Sequence, residues 1–137
     1  MLKNRSIPSC TVIPEIAYPD VEAAAAWLIA AFGFTLRVAI GNHRAQMNVE
    51  DGAMVVTEMP ADGVWAPRVV MVRVEDVDVH CARAIAHWAK IVHEPQDYPY
   101  GERQYAAEDF AGNRWKFTQS IADVAPEEWG GVSGELG

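Results

Sequence analysis

The sequence predicts an α+β fold in which the order β-α-β-β-β is written twice. Three observations carry this. Two segments of helical period each follow an aspartate, short β-branched runs are broken by Gly-containing turns, and the same element order resumes after the loop 60–67.

Thr11–Tyr18 is a short, mostly apolar run closed by Pro19-Asp20. Pro14 within it would remove a ladder hydrogen bond from a central strand, so this strand is expected at an edge or bulged. Asp20 stands where an N-cap belongs, and Val21–Phe32 reads as an alanine-rich helix. Its apolar positions Val21, Ala24, Ala25, Leu28 and Phe32 follow helical spacing, and Gly33 is the natural residue to end it. Strands follow at Thr35–Ile40, Ala45–Val49 and Ala53–Glu58, separated by the turn signals Gly41-Asn42 and Asp51-Gly52. In the second half Arg68–Val74 is a strand and Asp76 and Asp78 are candidate caps. Val77–Lys90 is the second helix, with Val77, Cys81, Ile85 and Trp88 on one face. Lys90–Glu94, Arg103–Glu108 and Arg114–Gln119 complete the set, the last two joined by the turn 109–113. The tail from Ser120 is expected as a loosely packed extension, with Trp129 as the residue that could dock it on the body. The expected organisation is one domain over 1–137, with modules at 9–58 and 68–119 and an extension at 120–137.

Composition narrows the function. Of 137 residues 50% are hydrophobic and 22% charged, which suits a globular chain and argues against disorder. Nineteen acidic residues against eleven basic ones give a formal charge of −8, so binding of nucleic acid through a broad basic face is not expected. The longest apolar stretch, Ala23–Phe34, falls short of the roughly twenty residues a membrane-spanning helix needs, so no membrane partner is expected. No apolar region follows the basic start Met1-Leu2-Lys3-Asn4-Arg5, so no secretory leader is expected either. Cys10 and Cys81 lack metal-type spacing and read as free thiols of a cytoplasmic protein.

Two stretches carry a family likeness. Tyr18-Pro19-Asp20 leads into AAAAWLIAAFGF, and PYGERQYAAEDFAGNRWKFTQ contains an Asp-x-x-Gly turn. Over about residues 9–120 the chain resembles the vicinal oxygen chelate superfamily, the glyoxalase/bleomycin resistance protein/dioxygenase group. The resemblance implies two βαβββ modules forming a glyoxalase/bleomycin-resistance-type fold with a concave cavity, and a homodimer. It also implies four strand positions that carry His, Gln or Glu in the metal enzymes. Counted from the shared landmarks, these places fall on Ile13, Val69, Lys116 and either Thr57 or Glu58. Isoleucine and valine have no donor atom, and lysine offers only an ammonium at neutral pH. A divalent ion needs about three or four ligands. No metal and no cofactor are therefore expected.

Strand alternation then nominates a cavity wall. If Ile13 faces inward, so do Glu15 and Ala17, leaving Val12, Ile16 and Tyr18 to pack beneath the helix. Val69, Met71 and Arg73 are placed inward on the next strand, and Lys116 and Thr118 on the last, with Trp115 and Phe117 in the core. The candidate ligand-binding residues are Ile13, Glu15, Glu58, Val69, Met71, Arg73, Arg103 and Lys116. Arg103 stands with Tyr98 and Tyr100 as a pocket edge, and Trp65 is an aromatic that could stack on a ligand or pack. Glu15 is expected either to neutralise Lys116 or Arg73 or to meet the ligand. His43, His80, His87 and His93 form no HxH or HxxxH pair and read as surface or capping residues. No nucleophile with a base and no Gly-rich phosphate loop is visible, so no catalytic residue is nominated. The function expected is metal-free binding of a small organic molecule, as in drug sequestration. The resemblance implies that the family's resistance proteins bind cationic drugs between the subunits of a dimer. The alternatives are a glyoxalase- or dioxygenase-like metalloenzyme with displaced ligands, and an association protein with a filled cavity.

Overall fold

Asp20 sets the start of the first helix, α1 (Val21–Phe32), its carboxylate accepting from the Ala23 amide at 3.0 Å. Gly33 ends it at φ 77°, a left-handed conformation that costs glycine little, and donates its N–H to Ile29 O. The computed structural model, which describes residues 2–63 and 65–136, divides the chain into two compact units, Met1–Arg68 and Val69–Gly137. In the first, β1 (Glu15–Tyr18), β2 (Thr35–Ile40), β3 (Arg44–Val49) and β4 (Gly52–Glu58) form a sheet of order β1-β4-β3-β2. In the second, β5 (Val69–Arg73), α2 (Val77–Ala86), β6 (Lys90–Tyr98), β7 (Glu102–Glu108) and β8 (Arg114–Ser120) repeat the order as β5-β8-β7-β6. Outer strands β1 and β5 run parallel to β4 and β8, while the other pairs are antiparallel. The repeat read from element order is thus repeated in topology.

Each helix covers one face of its own sheet. Under α1 lie Ile16, Tyr18, Ala45, Met47, Met54 and Val56, all buried with Leu28 and Phe32. Under α2 the core is Val77, Cys81, Ala84, Tyr105, Ala107, Trp115 and Phe117, with Tyr105 and Phe117 stacked at 5.1 Å between ring centroids. Burial pushes the Cys81 thiol upward from its ordinary pKa, which keeps it protonated and unreactive. The β7–β8 turn is organised by one buried carboxylate. Asp109 accepts from the amides of Ala111 (3.0 Å) and Asn113 (2.9 Å), from Asn113 Nδ2 (3.3 Å) and from Trp115 Nε1 (3.1 Å).

Four expectations are corrected. The first strand starts at Glu15 instead of Thr11, since Pro14 has no amide to offer and enters the sheet only as an acceptor from Val55 N. Val12 before it is exposed. The second helix stops at Ala86, so Lys90 belongs to β6 alone. The chain turns there through Trp88 at φ 68°, and Ala89 N donates back to Ala84 O in the arrangement that usually places glycine at this point. Trp88 is therefore 92% exposed, Ile85 points outward, and Ala84 takes the place expected for them against the sheet. Strand β6 runs on to Tyr98 despite Pro95, because it is an edge strand whose register shifts between Ile91/His93 and His93/Gln96. The tail is also anchored: Ile121 N and Ala122 N donate to Gly101 O at 2.8 and 3.2 Å, and a short 3-10 turn follows at Pro126–Trp129.

Replacing Asp109 with alanine strands the Trp115 indole N–H and two turn amides. Urea unfolding should show a loss of about 3 kcal/mol, the sum expected for orphaned donors of this kind; a loss below about 1 kcal/mol would contradict the role given to this carboxylate. Conversely, Trp88→Gly removes a left-handed non-glycine residue with no packing to lose. It should raise stability by about 0.5–1 kcal/mol in the same assay, and a decrease would be inconsistent with the turn described.

Candidate functional site

Register determines which side chains share the sheet face turned away from α2. Met71 lies beside Lys116 and Lys116 beside Ala106, and one row along Arg73 lies beside Thr118 and Thr118 beside Gln104. With Tyr100, Glu102 and Trp129 these residues enclose an open recess of about 380 Å³. An adjoining hollow of about 230 Å³ shares Tyr100, Gln104 and Lys116 and adds His93, Tyr98 and Arg114. A hydrogen-bond chain crosses the floor. Tyr100 OH donates to Gln104 Oε1 (2.9 Å), Gln104 Nε2 to Thr118 Oγ1 (3.0 Å), and Thr118 Oγ1 to Glu102 Oε1 (2.7 Å). Burial raises the Tyr100 pKa, which keeps that hydroxyl a donor. The rim is aromatic: Tyr98 and Tyr100 stack at 5.4 Å, and the Trp129 indole stands edge-on to Tyr100 at 5.7 Å. Gly101 makes this possible. At φ 82°, a Cβ on it would come within 2.3 Å of Ala122 O, so only glycine lets the tail close onto the Tyr98–Gly101 turn.

The first unit builds a counterpart of about 320 Å³ from Ile13, Glu15, Ile40, Arg44, Gln46 and Val55, with Ser6 and Ile7 over it. Gln46 lies opposite Val55, itself beside Glu15, and so like Gln104 is on the face turned away from its unit's helix. Here the polar groups satisfy one another. Arg44 bonds to Glu15, Arg37 donates to Gln46 Oε1, and Gln46 Nε2 donates to Ser6 O at 2.8 Å.

Five of the nominated residues therefore line recesses: Ile13 and Glu15 in the first unit, and Met71, Arg73 and Lys116 in the second. Val69 shares the face of Met71 but lies at the strand's exposed end, outside the recesses described. Glu58 is opposite Tyr18, hence on the helix-covered face, and its carboxylate meets His43; Thr57 is the residue on the face of Glu15. Arg103 is also on the other face. Its guanidinium holds Asp78 through two bonds of 3.0 Å and Asp97 through one of 2.9 Å, because β7 begins at Glu102 and alternation sends Arg103 toward α2. Glu15 takes Arg44 as its partner in place of Lys116 or Arg73. His80 is no surface residue: its Nδ1 lies 2.6 Å from Tyr105 OH and its ring 4.1 Å from that of Phe117. Trp65 is partly exposed on the loop between the units. Gln104 was not anticipated, although alternation along β7 carried the signal for it, and Trp129 was expected to dock on the body but not to line a recess.

The four places that the family resemblance assigns to metal ligands would fall on Ile13, Val69, Lys116 and, on the face concerned, Thr57. Among the described residues no group of three or more His, Cys, Asp or Glu could hold an ion. One hydroxyl, an ammonium and two aliphatic chains do not fit a divalent cation. No helix among the described residues is long and apolar enough to cross a membrane.

The model of the Glyoxalase/Bleomycin resistance protein/Dioxygenase superfamily matches residues 7–117. The chain belongs to this superfamily. Among solved structures, TioX from Micromonospora sp. ML1 is 35% identical, with a TM-score of 0.70 over 82% of this chain and 100% of that one. The superfamily fold recurs in a glyoxalase/bleomycin resistance protein from Streptomyces sp. CB03234 (23% identity, 78% and 97% coverage, TM-score 0.66). It recurs again in lactoylglutathione lyase from Agrobacterium tumefaciens (18% identity, 83% and 96% coverage, TM-score 0.68). No curated protein matches the chain. Superfamily membership accounts for the doubled βαβββ topology and leaves the chemistry to the residues just described.

The placement of Arg103 can be checked directly. Arg103 holds the Asp78 carboxyl below its ordinary value of 3.8, chiefly through their hydrogen bonds. A depressed carboxyl contributes stability above that value and loses it as pH falls further. Arg103→Gln should thus lower the unfolding midpoint at pH 7, with the difference from the parent narrowing below pH 3.8, while ligand affinity stays within about twofold. A large loss of affinity would return Arg103 to the binding wall.

Proposed function

We propose that this superfamily member is a metal-free carrier of a small organic molecule, of the kind that sequesters a drug, and that the ligand sits in the recess of the second unit. One observation carries the reading. A concave face joins an apolar floor residue, Met71, and an aromatic rim to a few fixed polar groups, without a set of metal donors. Small-molecule sites have this composition: apolar and aromatic surface supplies affinity, and convergent polar groups orient the ligand. The Gln104–Thr118–Glu102 chain fixes those groups in advance, so little side-chain entropy is lost on binding. The homodimer implied by the resemblance and the cytoplasmic location read from the two free cysteines belong to the same proposal.

The test is a fluorescence titration of chelator-treated protein with a panel of naphthalene derivatives, neutral, anionic and cationic, comparing the parent with Trp129→Phe. Saturable quenching by at least one probe is expected, unchanged by chelator and smaller in amplitude without the Trp129 indole. Binding that appears only after a divalent metal is restored, or no binding across the panel, would overturn the carrier reading.

A further inference from the structure

We infer that the recess selects an aromatic carboxylate, whose anion meets Lys116 and Arg73 while its ring lies against Tyr100 and Trp129; this rests on the carrier reading above. The argument is one of unbalanced charge. The chain as a whole has a formal charge of −8, so a surface taken at random should be acidic. The face of the second sheet that holds the recess is the reverse: Arg73, Lys116 and, in the adjoining hollow, Arg114 share it with Glu102 and with Glu108, which lies opposite Arg114 at the strand's far end and is already paired with Lys90. Glu102 accepts the Thr118 hydroxyl, and no ion pair joins it to a cation. Two arginines elsewhere are matched to carboxylates: Arg44 to Glu15, and Arg103 to Asp78 and Asp97. Among the described residues Arg73, Arg114 and Lys116 make no such pair.

Their spacing is fixed by the sheet. Lys116 lies directly opposite Met71, so Arg73, two residues along β5, is its diagonal neighbour, within reach of the same small anion for side chains of this length. Arg114 precedes Lys116 by two residues on β8 and so shares its face. Like charges placed this closely repel one another, and a bound oxyanion relieves that repulsion while gaining charge-assisted hydrogen bonds. The Tyr100 and Trp129 rings beside them offer a flat apolar wall for the remainder of the molecule. The equivalent recess of the first unit lacks this feature, because its Arg44 is already neutralised by Glu15. A cationic drug, the ligand type implied by the family resemblance, would meet repulsion here.

Three isosteric probes separate this inference from the reading it rests on: 2-naphthoate, 2-naphthamide and 2-naphthylmethylammonium, each titrated against full-length protein at low ionic strength. Hydrogen bonds to charged groups contribute about 1.5–3 kcal/mol, so naphthoate should bind at least about tenfold more tightly than naphthamide, and the ammonium more weakly than either. Lys116→Met should remove most of that preference by weakening naphthoate far more than naphthamide, and Arg73→Met should act the same way, with far-ultraviolet circular dichroism unchanged in both. Equal binding of acid and amide, or tightest binding of the ammonium, overturns the anion assignment and leaves the carrier standing. Failure of all three probes to bind overturns both.

Discussion

The buried Asp109 carboxylate is the interaction on which the second unit turns. By taking four donors from the turn and from the Trp115 indole, it fixes where β7 ends and β8 begins. A hairpin's register follows from its turn, and a slip of one residue would send every side chain to the opposite face. With Asp109 in place, Thr118 falls opposite Gln104 and Lys116 opposite Ala106. Shifted by one, Trp115 and Phe117 would lose the core, and the recess would lose its floor. The same carboxylate therefore anchors the hydrophobic packing under α2 and positions the polar residues on the far side of the sheet.

A second constraint is that each module has one helix and so can cover one sheet face. The other face must be managed differently, and the two units do so in different ways. In the first, Ser6 and Ile7 lie over the face, Gln46 is tied to the Ser6 carbonyl, and Glu15 is tied to Arg44. In the second, the tail folds back only as far as Gly101 and contributes Trp129 to a rim. Two glutamines on the faces turned away from the helices thus serve different ends. Gln46 is satisfied by backbone and Arg37, whereas Gln104 holds together a row that ends at the recess. Duplicated topology is compatible with divergent chemistry because register fixes where a side chain points and leaves its identity free.

Those residues set the terms of function more than the fold does. The superfamily's architecture is shared by proteins named as lyases and as resistance proteins, and what separates such chemistries is which side chains project from equivalent strands. Here the projections are aliphatic, cationic and aromatic. Superfamily membership thus locates the concave faces, and the side chains on them decide what those faces can hold.

The doubled βαβββ order, the Asp20 cap, the Gly33 stop and the strands from Thr35 to Glu58 were legible in the sequence, because each depends on contacts within a few residues or on a periodicity of two or 3.6. For the same reason alternation placed Met71, Arg73 and Lys116 on one face. Arg103, Glu58, Ile85 and Trp88 were misread because their positions depend on where a strand or helix begins or ends, and a single residue of error there reverses a face. The partner of Glu15, the packing of His80 on Tyr105 and Phe117, and the return of the tail to Gly101 could come only from the folded chain. Each joins residues distant in sequence, so its geometry exists only once hydrophobic burial has closed the sheets.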